Sequence, residues 1–105
     1  KAKKDFNKLY ASGKKWHTHS FVAFFKSNNN HFNIAFVASK KIGNAVIRNR
    51  SKRRLRAMFL KYENKIKKGS YIFIAKDTLL QRDVKGLKKD FDFAFKRLEL
   101  FQSDV

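Results

Sequence analysis

Lys40-Lys-Ile-Gly-Asn-Ala-Val-Ile-Arg-Asn-Arg-Ser-Lys-Arg-Arg-Leu-Arg-Ala-Met-Phe59 is the stretch around which the rest of the chain is organised. Between Arg48 and Arg56 it holds six cationic side chains and no carboxylate. At a helical advance of roughly 100° per residue, Leu55, Met58, Phe59, Tyr62 and Ile66 form one apolar stripe. Arg48, Asn49, Lys52, Arg53 and Arg56 share a neighbouring arc. The spacing predicts one helix, ending near Lys68-Gly69, with a face for a core and a face for a polyanion. A merely solvated basic face is a costly alternative, because Arg48, Lys52 and Arg56 repel one another at i, i+4. Arginine's planar fork meets phosphate bidentately where lysine cannot. Asn49, set among the arginines, can hydrogen-bond a base, a ribose or a phosphate.

On either side the chain reads as the body that holds this helix. Asp5 can cap a short helix through about Ala11, with Gly13 just past its end. Residues 15–26 read as strand, in one or two pieces, with Phe21, Ala23 and Phe25 pointing one way and Val22 and Phe24 the other. Ser27-Asn-Asn-Asn30 is a turn. A second strand, from about Phe32 to Ala38, is expected to close an antiparallel hairpin. Tyr71-Ile-Phe-Ile-Ala75 is fully apolar and suits a buried central strand. A last helix, roughly Asp83 to Phe101, carries Val84, Leu87, Phe91, Ala94, Phe95, Leu98 and Phe101 on one stripe. Phe93 and Leu100 fall off it and are expected to be exposed or partner-facing. This order describes an α+β or α/β sandwich, a single domain over 1–105.

Net charge is +18, and it is unevenly spread. Residues 1–70 carry 19 basic and 2 acidic side chains, residues 71–105 carry 7 and 6. One strongly positive region calls for a nucleic acid, an anionic lipid surface or an acidic protein. Twelve phenylalanines supply core material, which argues against a disordered basic tail. A membrane-surface helix would need large apolar residues beside its basic face, and here the apolar stripe is committed to a core. Without cysteine there are no disulfides, thiolate zinc sites or cysteine nucleophiles. No apolar run approaches the ~18 residues of a membrane span, no signal peptide is visible, and a cytoplasmic location is expected. The chain begins at Lys1 without a methionine, so a few residues are expected upstream.

Two further constellations can carry chemistry. Phe6, Tyr10, Val22 and Phe24 are either plain core or a stacking platform for unpaired bases. Lys3, Lys4, Lys8, Lys14 and Lys15 interleave with them, which favours the platform without settling it. His17, His19 and His31 lack neighbouring carboxylates in sequence and read as polar edge residues rather than metal ligands. A metal-dependent nuclease would need convergent carboxylates. Asp77, Asp83, Asp90 and Asp92 are instead expected at helix ends and surface positions. With no nucleophile–base pair in view, the chain reads as a binder rather than a catalyst on its own.

From Ser39 to Arg56 the sequence closely resembles the bacterial ribonuclease P protein subunit family. Arg48-Asn49-Arg50, continued by Lys52-Arg53 and Leu55-Arg56, matches that family's signature. Asp5-Phe6 to Tyr10 and Gly13, Phe21-Val22 and Tyr71 to Ala75 resemble its first helix, a strand and its last strand. The resemblance implies an α-β-β-β-α-β-α two-layer sandwich with a left-handed βαβ crossover, like the second domain of ribosomal protein S5. It also implies assistance to a catalytic RNA that removes the 5′ leader of precursor tRNA, with Mg²⁺ bound mainly by the RNA and none by the protein alone. One protein per RNA is the implied stoichiometry. Lys40, Lys41, Arg48, Asn49, Arg50, Lys52, Arg53 and Arg56 would then face RNA, and Phe6, Tyr10, Val22 and Phe24 would line a leader cleft. Ser51 departs from the family, which usually has an aliphatic residue there, so looser packing is expected at the start of the helix. A structural RNA-binding protein of ribosomal type is the alternative, and an autonomous nuclease is disfavoured by the missing carboxylate cluster.

Overall fold

The computed structural model describes residues 14–27 and 32–101. The helix expected over 5–11, with Phe6 and Tyr10, lies outside the described residues, as does most of the asparagine turn. Four strands, β1 (Lys14–His17), β2 (Phe21–Ser27), β3 (Asn33–Val37) and β4 (Gly69–Ala75), form one sheet in the order β1-β2-β4-β3. Helix α1 (Ala45–Leu60) connects β3 to β4, and α2 (Val84–Arg97) follows β4. The architecture is α+β.

The expected hairpin between the second and third strands does not form. β2 and β3 are separated by β4, which pairs antiparallel with β2 and parallel with β3. The reason lies in β4 itself: Tyr71, Ile72 and Phe73 are each no more than 1% exposed, so this strand needs cover on both faces and neighbours on both edges. β1 and β3, in which no residue is fully buried, take the edges. The hairpin that does form joins β1 to β2, across a turn in which the Thr18 hydroxyl accepts from the Ser20 and Phe21 amides.

Both helices pack on the sheet face that carries Phe21, Ala23, Phe25, Tyr71 and Phe73. Phe73 is the hub, with ring centroids of Phe21, Phe36, Phe59 and Phe91 within 5.4–5.7 Å. Each well-placed aromatic pair contributes about 0.5–1.5 kcal/mol beyond its buried area, and this cluster fixes where α1 sits.

The start of α1 is sharply set. Gly43 has φ 151°, and a Cβ there would meet the Ile47 side chain at 2.9 Å, so only glycine allows the chain to turn into the helix. Asn44 caps it, its side-chain oxygen accepting from the Ile47 amide at 3.0 Å. The far end comes earlier than the apolar periodicity suggests. α1 stops at Leu60, and turns carry the chain through Lys65. Tyr62 and Ile66 are nevertheless buried, Ile66 through an antiparallel bridge to Phe101. A turn thus buries the residues that were expected to extend the helical stripe.

Asp83 caps α2, accepting from the Gly86 amide at 2.8 Å. The helix ends at Arg97 rather than near Phe101, because Glu99 adopts a left-handed φ of 56° and the Leu100 amide turns back to the Phe95 carbonyl. That reversal buries Leu100, contrary to expectation, and leaves Phe101 at the rim. Val84, the first member of the expected stripe, is exposed as well.

Two core tyrosines make the fold sensitive to alkali. Tyr62 donates to Asp92 at 2.6 Å and Tyr71 donates to the Lys67 carbonyl. Burial raises both hydroxyls above their ordinary value of 10.0, and for Tyr62 the Asp92 carboxylate adds to the rise. A raised folded pKa stabilises the protein fully below the unfolded value, about 10. That stability is lost as pH climbs towards the folded value, because the unfolded chain gives up its protons first. The melting temperature should fall more steeply above pH 10 than it does for a Tyr62→Phe, Tyr71→Phe double variant; parallel alkaline limbs would show that neither hydroxyl matters.

Candidate nucleic-acid interface

The outward surface of α1 is a field of cations. Asn49, Arg50, Lys52, Arg53 and Arg56 are exposed and Arg48 is half-buried, while Lys40 and Lys41 are exposed on the 3₁₀ turn just ahead. The Arg56 guanidinium lies 5.7 Å from the Phe36 ring centre, which holds it over the β3 edge. Arg50, Arg53, Arg54 and Arg56 border an open cleft of about 530 Å³, with Ala57, Leu60 and Leu80 in its wall. Ser51 is buried inside the helix, its hydroxyl donating to the Ile47 carbonyl at 2.9 Å.

Arg54 behaves differently from its neighbours. Its guanidinium donates to the Leu79 carbonyl at 2.8 Å and to that of Arg82, so it ties α1 to the segment leading into α2. Its use inside the fold was not visible from helical spacing, since its partners lie 25 and 28 residues away.

Among the described residues the salt bridges are Arg82–Asp90 and Lys88–Asp92. None involves a cation of α1. The field is therefore neutralised by no described carboxylate, and an external polyanion is the physical complement it lacks.

The sheet face turned away from the helices forms a second surface. Strand register lines up His17, Val22, Ile74 and Val37 in one row and Lys15, Phe24, Ile72 and Ala35 in the next. Ile72 is buried here, outside the helix-side core cluster. Val22 and Phe24 are half-buried, and the Lys15 ammonium lies 6.0 Å from the Phe24 ring centre. Of the four expected cleft residues, Val22 and Phe24 are thus brought together on an apolar face with a cation at its edge. Phe6 and Tyr10 fall outside the described residues.

Asp90 is not at the surface as expected. It is 7% exposed, accepts from the Ser20 hydroxyl at 2.7 Å and is clasped by the Arg82 guanidinium at 3.1 and 3.2 Å. Gly86 allows that clasp, because a Cβ there would stand 2.6 Å from Arg82 Nε. His17 and His19 are exposed, but His19 sits in the turn after β1 rather than on a shared strand face. Among the described residues no three His, Asp or Glu side chains group as a metal site, and no helix is long and apolar enough to cross a membrane.

The family model described as Ribonuclease P matches residues 1–99. The ribonuclease P protein component of a Nitratiruptor species is 38% identical over 99 residues, spanning 94% of this chain and 90% of that protein. The one from Listeria monocytogenes serovar 1/2a is 40% identical over 88 residues, spanning 81% of this chain and 74% of that protein. Among solved structures, the RNase P protein of Staphylococcus aureus superposes with a TM-score of 0.83 at 28% identity, covering 97% of this chain and 95% of the other. The RNase P protein of Thermotoga maritima, at 24% identity and a TM-score of 0.78, shares the fold over 92% of this chain and 94% of the other.

Proposed function

The chain belongs to the ribonuclease P protein family, as a component of the ribonucleoprotein that processes tRNA 5′ ends, and from that premise we propose how its surfaces divide the work. Lys40, Lys41, Arg48, Asn49, Arg50, Lys52, Arg53 and Arg56 dock on the folded ribonuclease P RNA, one protein to one RNA. The observation that carries this reading is that α1 and the turn ahead of it present the lysines and arginines of this set without a carboxylate partner among the described residues. Val22 and Phe24, together with Phe6 and Tyr10, receive the single-stranded leader of precursor tRNA. Aromatic rings suit that task because every base has a face to stack, whatever its sequence.

Cleavage of the phosphodiester belongs to the RNA. Mg²⁺ prefers phosphate oxygens and water over an all-protein cage, so we place it on the RNA, in a cytoplasmic particle. The protein's share is positional: it holds the leader in register and neutralises phosphate repulsion between two polyanions.

Reconstitution tests this. Adding the protein to a bacterial ribonuclease P RNA at low Mg²⁺ should restore cleavage of precursor tRNA. A Lys52→Ala, Arg53→Ala variant should require at least about tenfold more protein for half-maximal cleavage, as expected for two lost charge-assisted contacts. RNA binding without any gain in cleavage would favour the purely structural alternative. Cleavage by the protein alone would overturn the division of labour.

A further inference from the structure

The sheet edge opposite β3 carries a cluster that the basic helix does not use. Phe93 on α2 is 45% exposed, and its ring meets Trp16 of β1 edge-on at 5.6 Å. The Arg97 guanidinium lies 5.1 Å from the Phe93 ring centre and 5.6 Å from that of Trp16, so the exposed ring is held on two sides. Beside Phe93 opens a cleft of about 520 Å³, with His17, His19, Lys89 and Lys96 in its wall. That volume falls among small-ligand sites, about 300–1,000 Å³.

The charges around it are not self-compensating. Two carboxylates line the cleft, and both are engaged: Asp90 by Ser20 and Arg82, Asp92 by Tyr62 and Lys88. Lys89, Lys96 and the adjoining Arg97 are exposed and lie in no salt bridge among the described residues. A fixed aromatic face flanked by ammonium groups is the chemistry of a single-strand nucleotide site, base on ring and phosphate on lysine. A second copy of this chain is a poor occupant, since it would bring +18 against +18.

We propose that Trp16, Phe93 and Arg97, with Lys89 and Lys96, form a second RNA-contact surface that takes one or two unpaired nucleotides. It rests on the reading of the protein as an RNA binder but is separate from the docking helix. β1 and β3 stand three strand intervals apart, about 14 Å. It is continuous instead with the apolar sheet face. Lys15 and His17 lie on that face while Trp16, between them, points to the helix side, so an RNA strand leaving the face over β1 passes from one set to the other.

Trp16 is the sole tryptophan, and its emission reports on this edge. Titrating the full-length protein with a short oligoadenylate should quench it, and Phe93→Ser should weaken that binding by about tenfold, the scale of one lost stacking contact. Lys89→Gln with Lys96→Gln leaves both rings in place and should weaken it too, with a shallower salt dependence. Oligoadenylate that binds by anisotropy with Trp16 emission unchanged would overturn the proposal. So would equal binding by the Phe93→Ser and lysine variants, or quenching that tracks protein self-association in sedimentation. Assembly with ribonuclease P RNA, measured on the same variants, separates the two readings: it should survive Phe93→Ser, and its loss in the unaltered protein would instead strike the docking helix.

Discussion

Raising salt from 50 to 200 mM should weaken binding of the protein to its RNA by about 10³-fold. That figure follows from the α1 surface. On the proposed docking, Lys40, Lys41, Arg48, Arg50, Lys52, Arg53 and Arg56 are the cations that would meet phosphate, and about six contacts, each releasing close to one counterion, give that loss. Arg54 is left out of that sum because its guanidinium is already committed to the Leu79 and Arg82 carbonyls. Reversing one contact, as in Arg53→Glu, should both lower affinity and reduce the slope of log K against log salt by at least about one. Filter binding or anisotropy across a salt series provides the measurement. A flat response would mean that the cationic field does not meet phosphate, and the docking assignment would fall with it.

Asp90→Ala should cost about 3–5 kcal/mol of folding stability, a large share of the roughly 5–15 kcal/mol available to a domain of this kind. The carboxylate is nearly enclosed and holds three groups at once: the Ser20 hydroxyl from the β1–β2 turn and two guanidinium nitrogens of Arg82. Removing it strands an inward-facing guanidinium and an unsatisfied buried hydroxyl. Because the Arg82 side chain is 30% exposed and can turn to water, the lower end of the range is expected. Lys88→Ala provides the contrast. Its bridge to Asp92 is open to solvent, with side-chain exposures of 61% and 46%, and should contribute no more than about 0.5 kcal/mol. Urea unfolding of both variants decides the matter. A loss below about 1 kcal/mol for Asp90→Ala would show that the clasp is incidental.

Where local chemistry decided the outcome, the chain could be read directly. The stripe through Leu55, Met58 and Phe59 is buried and the cations beside it are outside, because one helix period separates them. Tyr71 to Ala75 reads as a central strand because nothing in it tolerates water. What escaped depends on contacts distant in sequence. Whether β2 meets β3 directly or around an inserted strand is decided by β4, more than thirty residues further on. The same limit hid the Asp90 clasp, whose Ser20 partner lies 70 residues away. Leu100 was misplaced for a nearer cause: a left-handed Glu99 is unusual for a non-glycine residue, and no pattern of apolar residues announces it. The Trp16–Phe93 pair joins a sheet edge to a helix flank, and helical periodicity only marked Phe93 as a misfit.

The insertion of β4 between two earlier strands also sets an order of events during synthesis. Until the ribosome has released residues 69–75, β2 and β3 have no common neighbour and expose unpaired backbone edges, the kind of surface through which nascent chains aggregate. The polycationic helix emerges before that strand, so the stretch proposed to dock on RNA is made while the sheet is still open. A polynucleotide that binds the helix more tightly in the closed fold than in the open chain would favour the closed sheet by mass action, linking completion of the protein to capture of its RNA.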